Sequence, residues 1–288
     1  MTEQSPNDQR HTSSCVQPMH GLQISTGSQP FGHKSLLMKH LYSVLRLVAL
    51  LIIGFAAPLA AQSPGPLNGA VFGEGRKALV VILHGDVSKG GPADYHYVIA
   101  KQIARKNPGV TVLAILRPGY KDAKGRASPG SNNNRRDHYT KRNNQLVAQT
   151  IQAMAKQVGT SNIIAVGHSG GAAQLGVIAG SHKGLLDSVI LVSCPCDIPK
   201  WRAKKKWNPW PNSLSPHKYV GAIPRSTRLF VVVGSKDTNT YPWLSEEYVA
   251  AAKARGLGVA YVPVKGAGHG FRKMQSTVER LVKQEINN

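Results

Sequence analysis

The chain has 288 residues, and Lys and Arg outnumber Asp and Glu by 36 to 14, which gives a formal net charge of +22. The length suits one domain with a well-buried core, and no internal repeat is present, which excludes a repeat architecture. A charge of this size attracts anions, but no nucleic-acid-recognition motif accompanies it, so specific nucleic-acid binding is not expected. The three cysteines lack a second ligand pair at metal-binding spacing, so no metal site is predicted.

The first 37 residues do not have the pattern of a folded element. They are polar, rich in Ser, Gln and Gly, and show neither helical nor strand periodicity. We predict that residues 1–37 are disordered, or that they are a mis-assigned leader and translation begins at Met38.

A second leader segment follows. From Met38, a short basic stretch precedes the apolar run Leu47–Ala57 and a small-residue end, which is typical of a secretory signal peptide. We expect residues 38–61 to be removed and residues 62–288 to be exported to the periplasm or the medium. Anchoring in a membrane through residues 41–61 is the alternative, although the apolar run is shorter than the roughly 20 residues of a spanning helix.

Beyond the leader, apolar strand patterns alternate with amphipathic helix patterns. The predicted strands are 78–83, 110–116, 162–166, 188–193, 228–233 and 258–264. Helices are predicted over about 93–106, 141–158, 170–182, 243–256 and 271–286. Because the strands are apolar throughout, each is expected to be buried on both faces. The pattern predicts an α/β fold, a three-layer sandwich with a mostly parallel sheet between helices.

A glycine-rich sequence joins the third strand to the third helix. Gly167-His168-Ser169-Gly170-Gly171 has the G-x-S-x-G pattern, which can hold a serine hydroxyl clear of the sheet on a strained turn. Glycines on both sides of the serine let the strand and the helix approach closely. Ser169 is therefore the candidate nucleophile, and a small residue at a tight turn is the alternative.

A serine nucleophile needs a base and a carboxylate, and both follow later in the chain. Asp237 lies in the loop after strand 228–233, and His269 lies in a glycine-rich turn after strand 258–264. The carboxyl ends of parallel strands share one edge of the sheet, so these side chains are expected to meet Ser169 there. Asp197, in the loop after strand 188–193, is the alternative acid.

The turn after the first strand completes the predicted site. His84 and Gly85 lead to Asp86, and we expect the backbone N–H groups of Asp86 and Gly170 to hold an oxyanion. Asp86 is nominated for its backbone, with no role assigned to its side chain. His84 is expected to order its loop, and His168 to pack or hydrogen-bond behind the nucleophile.

The order Ser169, Asp237, His269 and the His84-Gly85 turn resemble the α/β-hydrolase superfamily, over roughly residues 76–286. The elbow, the stretch Leu116-Arg117-Pro118-Gly119-Tyr120 and the ending Gly268-His269-Gly270-Phe271 are similar to the catalytic domains of serine aminopeptidases and prolyl oligopeptidases. Little sequence precedes the first strong strand, and the segment between Asp197 and Arg228 is short. The resemblance therefore implies a minimal member with a short or missing opening hairpin and no large lid.

Residues and resemblance together predict a serine hydrolase that cleaves an ester or amide through a Ser-His-Asp triad and an acyl-enzyme, with no cofactor. Only Asp94, Asp137 and Asp197 could hold a substrate ammonium near the predicted mouth, which favours esterase-like activity over an aminopeptidase. A serine peptidase acting on small peptides is the alternative, and so is a catalytically silent relative that uses the pocket as a binding module.

Basic and aromatic residues cluster in loops near the predicted site. Arg135, Arg136 and Trp201 are nominated as substrate contacts, and Trp201 belongs to the basic segment Lys200–Trp207. Such a rim suits a small acyl or peptide substrate bearing a carboxylate or phosphate, or contact with an anionic membrane or glycan surface. The alternative is that these loops are only solvated.

Two cysteines lie close together at the end of strand 188–193. Export would place Cys194 and Cys196 in an oxidising compartment, where a disulfide can form. A disulfide and two free thiols both stay open.

Overall fold

A computed structural model describes residues 64–288 of the chain. The predicted leader 1–37 and the predicted signal peptide 38–61 lie outside these residues, so both stay predictions. Between residues 64 and 288, no helix has the length and apolar character needed to cross a membrane.

Strands and helices alternate along the described residues. The strands are β1 (Gly69–Phe72), β2 (Ala78–Leu83), β3 (Val110–Ile115), β4 (Ile163–His168), β5 (Ser188–Val192), β6 (Arg228–Gly234) and β7 (Val259–Val264). The α-helices are α1 (His96–Lys106), α2 (Lys141–Val158), α3 (Gly170–Ser181), α4 (Ile198–Lys204), α5 (Pro242–Ala254) and α6 (Gln275–Asn287). Each predicted strand and helix is present. Strand 78–83 and helix 141–158 have the predicted ends, and the other elements differ by at most four residues at an end. A 3₁₀ turn over Phe271–Met274 replaces the predicted start of the last helix.

The strands form one sheet in the order β1-β3-β2-β4-β5-β6-β7. Strands β2 to β7 are parallel, and β1 alone among the strands of residues 64–288 is antiparallel to its neighbour, with Gly69 opposite Ile115. The predicted α/β sandwich with a mostly parallel sheet is confirmed. In place of an opening hairpin, the described chain has this one short strand, which the sequence analysis did not predict.

Helices cover both faces of the sheet, which explains why the strands lack an alternating pattern. Leu79, Val81 and Leu83 of β2 pack in a core with apolar residues of α2, α3 and α5. Their neighbours Val80 and Ile82 point to the opposite core, which α1 and α6 cover. Both sets are fully buried, so a central strand of this sheet, covered on both faces, carries apolar side chains at nearly every position.

Helix α4 is a second element that the sequence analysis did not predict. Asp197 begins it, and its carboxylate accepts the N–H of Lys200, as an N-cap residue does. Just before this cap, a disulfide joins Cys194 to Cys196, and both residues are buried. Of the two states left open for these cysteines, the structure therefore has the bridge.

Candidate active site

Turns at the carboxyl edge of the sheet bring the predicted residues together. Asp86 follows β2, Ser169 follows β4, Asp237 follows β6, and His269 follows β7. These strands are parallel, so their carboxyl ends open on the same edge. Register and strand direction thus position the side chains from four separate parts of the sequence.

Ser169 occupies a sharp turn between β4 and α3. Its backbone has φ 52° and ψ −115°, a left-handed φ that non-glycine residues rarely adopt. The turn is held because Ser169 N–H donates to the carbonyl of Val192 at 2.8 Å, and its own carbonyl accepts the N–H of Ala173 at 3.0 Å. The hydroxyl therefore stands at the amino end of α3, where the helix dipole favours negative charge.

His269 lies between the hydroxyl and a buried carboxylate. Its Nε2 is 3.0 Å from Ser169 Oγ, and its Nδ1 is 3.0 Å from Asp237 Oδ2. The Asp237 carboxylate can only accept a hydrogen bond, so Nδ1 carries the hydrogen and the Nε2 lone pair faces the serine hydroxyl. The arrangement allows proton transfer from the hydroxyl to the imidazole.

Every lone-pair direction of Asp237 is occupied. Oδ1 accepts the N–H groups of Asn239 and Thr240 at 2.8 and 3.0 Å, and Oδ2 accepts the Thr240 hydroxyl at 2.8 Å. Burial raises the pKa of this carboxyl, but the hydrogen bond and charge of His269, with the Thr240 bonds, outweigh it and hold the pKa well below its usual range. Asp237 is therefore ionised and fixed in orientation.

The alternative acid lies elsewhere. The Asp197 carboxylate caps α4 through Lys200 N–H at 3.1 Å, and its side chain has no hydrogen bond to His269. The structure therefore places Asp237, and not Asp197, beside the candidate base.

The turn carrying Asp86 lies against the elbow. A Cβ added to Gly85 would meet Ser169 Cβ at 3.0 Å, and one added to Gly171 would meet the carbonyl oxygen of His84 at 2.6 Å. Only glycine fits at either point, so the backbone after β2 and the backbone that opens α3 approach closely. Gly170 begins the helix, where N–H groups have no intrahelical partner, and the Asp86 N–H donates no hydrogen bond among residues 64–288.

The sequence analysis gave the Asp86 side chain no role, and the structure corrects this. Asp86 Oδ1 forms an ion pair with Arg117 Nη1 at 2.8 Å, and Oδ2 accepts the Tyr139 hydroxyl at 2.6 Å. Burial raises the pKa of Asp86, but the Arg117 charge and hydrogen bonds from His138 and Tyr139 outweigh it and keep the carboxyl ionised. Arg117 is fully buried and also donates to Gln174 Oε1 at 2.6 Å. The pair fixes the turn that carries the Asp86 N–H.

A chain of hydrogen bonds runs behind the nucleophile. The hydroxyl of Tyr95 is 2.6 Å from the N–H of Gly85 and 2.6 Å from His168 Nδ1, and His168 Nε2 is 2.9 Å from the carbonyl of His269. Burial, followed by the nearby His269, lowers the pKa of His168 to about 4, so the ring is neutral near pH 7. Nε2–H then donates to the His269 carbonyl, and Nδ1 accepts the Tyr95 hydroxyl. This chain links the β2 turn to the loop that carries the base.

A cleft of about 830 Å³ opens at the hydroxyl. The nominated substrate contacts Arg135, Arg136 and Trp201 all line it, together with Ser169 and His269. Trp201 is buried, and its Nε1 donates to the carbonyl of Asn239 at 2.9 Å. Further lining comes from residues that were not nominated: Ser88, Asp137, Arg202, Lys206, Trp207, Asn208, Pro209, Trp210 and Asn239.

Within the described part of the chain, no group of three His, Cys, Asp or Glu side chains has a metal-binding arrangement.

Sequence reasoning missed several supporting residues for different reasons. Thr240 stands three residues after Asp237, a spacing typical of a carboxylate that accepts backbone N–H groups in a turn, so it could have been found. Tyr95 and Tyr139 reach the site from separate loops, and no local pattern marks them. Arg117 lies in the stretch 116–120 that carries part of the family resemblance, but its contact with Asp86 was not predicted.

Comparisons with known proteins bear on the family to which this chain belongs. The sequence profile of the prolyl oligopeptidase family matches residues 131–287, which is more than half of the chain. A search among curated proteins found no significant match.

Many solved structures share the fold. Esterase PE8 has a TM-score of 0.55 at 16% identity, over 76% of this chain and 98% of its own. An esterase from Pyrococcus furiosus has a TM-score of 0.60 at 17% identity, over 76% of this chain and 88% of its own. A puromycin-hydrolyzing peptidase from Mycobacterium tuberculosis has a TM-score of 0.58 at 17% identity, over 79% of this chain but 38% of its own.

At these identities the structural likeness shows the fold, and the sequence profile shows the family. Fold and family together support a serine hydrolase of the kind that acts on esters or peptides. The chain belongs to the prolyl oligopeptidase family, within the α/β-hydrolase superfamily.

Proposed function

We propose that the protein is an esterase-like serine hydrolase that works through an acyl-enzyme formed on Ser169. The observation that carries the proposal is the continuous line of hydrogen-bond distances from Ser169 Oγ through both ring nitrogens of His269 to Asp237, 3.0 Å at each step. A nucleophile, a base and an orienting carboxylate in this relation are what acyl transfer requires.

The proposed reaction has two halves. In the first, the Ser169 hydroxyl proton passes to His269 Nε2 as Oγ bonds to the acyl carbon, and the same proton then goes to the leaving group as its bond to that carbon breaks. In the second, water attacks the acyl carbon with His269 again as base, and Ser169 Oγ departs with the proton. The N–H groups of Asp86 and Gly170 would stabilise the oxyanion, and removing one such donor typically raises the barrier by about 3 kcal/mol.

A serine peptidase acting on small peptides is the second candidate. Family membership favours it, since the matching profile is that of prolyl oligopeptidases. The esterase-like activity is preferred because the cleft lining contains two carboxylates, Asp86 and Asp137, and both have partners within the protein. Neither is left free to hold the ammonium of a peptide amino terminus.

The test uses the purified protein and its Ser169→Ala variant. We expect a fluorophosphonate probe to label the wild type and not the variant, because labelling needs an activated hydroxyl. We expect 4-nitrophenyl butanoate to be hydrolysed, and its turnover to fall by about 10⁵-fold in the variant.

Each other outcome has a definite meaning. Faster cleavage of aminoacyl or prolyl nitroanilides than of esters would replace the esterase-like activity with the peptidase. A wild-type protein that neither reacts with the probe nor hydrolyses any substrate would contradict the proposal and make the protein a silent binding module.

A further inference from the structure

The cleft beside Ser169 is lined by cationic side chains without acidic partners. Arg135, Arg136 and Lys206 are exposed in its lining, and none forms an ion pair with a carboxylate between residues 64 and 288. Arg202 adds a fourth positive charge to the same lining. Cations left without partners around a concave site raise the local concentration of anions.

The acidic groups of the lining do not cancel this charge. Asp86 is compensated by Arg117 behind the cleft, at 2.8 Å. Asp137 accepts the backbone N–H of Ser213 at 2.8 Å and that of Asn212 at 3.1 Å. Asp137 is thus the one remaining carboxylate of the lining against four cations, and it already accepts hydrogen bonds from the backbone.

The loop that carries the two arginines has an unusual backbone. Asn133, Asn134, Arg135 and Asp137 all have left-handed φ values, between 44° and 62°. Residues with a side chain rarely adopt such values, so the conformation persists because other contacts fix it. Such contacts include the hydrogen bonds that Asp137 accepts from Asn212 and Ser213, which follow Trp207 and Trp210 in the chain. Strain of this kind is characteristic of ligand clamps.

Trp201, Trp207 and Trp210 form an aromatic part of the cleft lining, the tryptophan wall. The Arg202 guanidinium lies 4.5 Å from the ring centre of Trp210, 4.8 Å from that of Trp207 and 5.7 Å from that of Trp201. Its Nε also donates to the carbonyl of Asn208 at 2.9 Å. The cation holds the three indoles together, and Trp207 is 44% exposed. An apolar face is therefore available next to the cations.

We propose that the substrate carries an oxyanion, a carboxylate or a phosphate, which Arg135, Arg136 and Lys206 bind while the apolar part lies against Trp207. The inference rests on the proposed hydrolase and deepens it by naming the substrate class. Arginine suits such a group because its planar fork donates two parallel hydrogen bonds to a carboxylate or phosphate. A substrate with a free ammonium is disfavoured by like charge.

The first measurement compares two esters of nearly equal size. Mono-4-nitrophenyl glutarate differs from 4-nitrophenyl pentanoate by a carboxylate in place of the terminal methyl group, and the Ser169→Ala variant supplies the background rate. We expect kcat/KM to be about tenfold higher for the glutarate ester at low salt, which corresponds to a few exposed charge contacts. The preference should shrink in 0.5 M NaCl, because salt screens exposed charges.

A matched pair of triple variants tests the named residues. Arg135→Gln, Arg136→Gln and Lys206→Gln together should bring the ratio of the two kcat/KM values close to one. Lys253→Gln, Arg280→Gln and Lys283→Gln remove the same charge from exposed positions on α5 and α6 outside the cleft lining. This control should keep the preference.

Equal rates for the two esters in an active enzyme would overturn the proposal, as would an equal loss of preference in both triple variants. The phosphonate analogue, 4-nitrophenyl 4-phosphonobutanoate, separates the two oxyanions. A kcat/KM above that of the glutarate ester assigns the phosphate, and a kcat/KM below it assigns the carboxylate.

A separate binding measurement distinguishes failure of this inference from failure of the proposed hydrolase. In Ser169→Ala, indole fluorescence should respond to 4-phenylbutanoate at lower concentration than to the neutral 4-phenylbutanamide, whether or not the wild type is an enzyme. Equal affinities would contradict the oxyanion site on their own.

Discussion

Two regions meet at the candidate active site, and they are built in different ways. The triad region is assembled from short turns at the ends of parallel strands, and hydrogen bonds of 2.6 to 3.0 Å fix Ser169, His269 and Asp237 from behind. The rim region consists of the arginine loop, residues 133–137, and the tryptophan wall, Trp201, Trp207 and Trp210. The loop lies in the connection after β3, and the wall lies in the connection after β5. The rim cations Arg135, Arg136 and Lys206 are exposed, whereas His168 and Asp237 in the triad region are buried.

This difference indicates a division of labour. Buried, fully bonded groups hold one geometry, which chemistry requires, while exposed cations act through a field that solvent and salt can weaken. We therefore expect substitutions in the triad region to change turnover or stability strongly, and substitutions in the rim to change the choice of substrate.

Among substitutions that leave Ser169 in place, Asp237→Asn should lower kcat the most. An amide in place of the carboxylate can donate to His269 Nδ1, which would leave the hydrogen on Nε2 and remove the base from Ser169, so kcat should fall by about 10⁴-fold. The measurement is ester hydrolysis across a pH series. Asp197→Asn is the matched control, because Asp197 caps α4 and does not contact the base; its kcat should change by no more than about twofold, since a cap affects stability by about 1 kcal/mol. A larger loss in Asp197→Asn would reverse the assignment of the acid.

The same contrast explains what the sequence could predict. Continuous apolar runs identified strands β2 to β7, and turn residues at strand ends pointed to Ser169, Asp237 and His269, because parallel strands place their carboxyl ends on one edge. The short strand β1 has four residues and no such apolar run, so it was missed. The Arg117–Asp86 pair joins residues 31 positions apart, and the bond from Asp137 to Ser213 spans 76, so no local pattern could reveal them.

Arg117→Met should give the next largest effect, on stability. The substitution removes a fully buried cation and leaves Asp86, whose side chain is only 15% exposed, without its ion-pair partner. Such a loss typically lowers the free energy of unfolding by about 3 to 5 kcal/mol. Urea denaturation followed by circular dichroism measures it. Lys200→Met breaks an exposed pair with Glu247 and should change stability by no more than about 1 kcal/mol. Equal effects would mean that the buried pair does not anchor the site.

Acid should destabilise the triad region, whereas salt should weaken the charge interactions of the rim. Burial, followed by the nearby His269, lowers the pKa of His168 to about 4, against about 6.5 in an unfolded chain. Between these values the unfolded state binds the proton and the folded state does not, so the free energy of unfolding falls as pH drops from 6.5 to 4, by on the order of 3 kcal/mol. Burial also lowers the pKa of His84 and of His96, so both add in the same direction.

Urea unfolding at pH 7, 5.5 and 4.5 measures this dependence. Replacing His168 by Gln removes one titrating group and should flatten the slope. The Asp237 carboxyl does not contribute in this window, because its depressed folded pKa and its ordinary unfolded value of 3.8 both lie below it. Identical slopes in the wild type and His168→Gln would show that another group titrates.

Asp137→Ala should give the smallest effect and the clearest separation of the two regions. The substitution removes the acceptor for the N–H groups of Asn212 and Ser213, so the arginine loop loses its hydrogen bonds to the segment that follows the tryptophan wall. Because these bonds are largely exposed, the free energy of unfolding should fall by only about 1 kcal/mol. Hydrolysis of 4-nitrophenyl butanoate should stay within about twofold of the wild type, since the triad geometry does not depend on Asp137. Asp137→Asn keeps one side-chain oxygen as an acceptor and should lie between the wild type and the alanine variant in stability. If the alanine variant instead lost turnover as severely as Asp237→Asn, rim and triad would form one cooperative unit, and substrate choice could not be altered without loss of the chemistry.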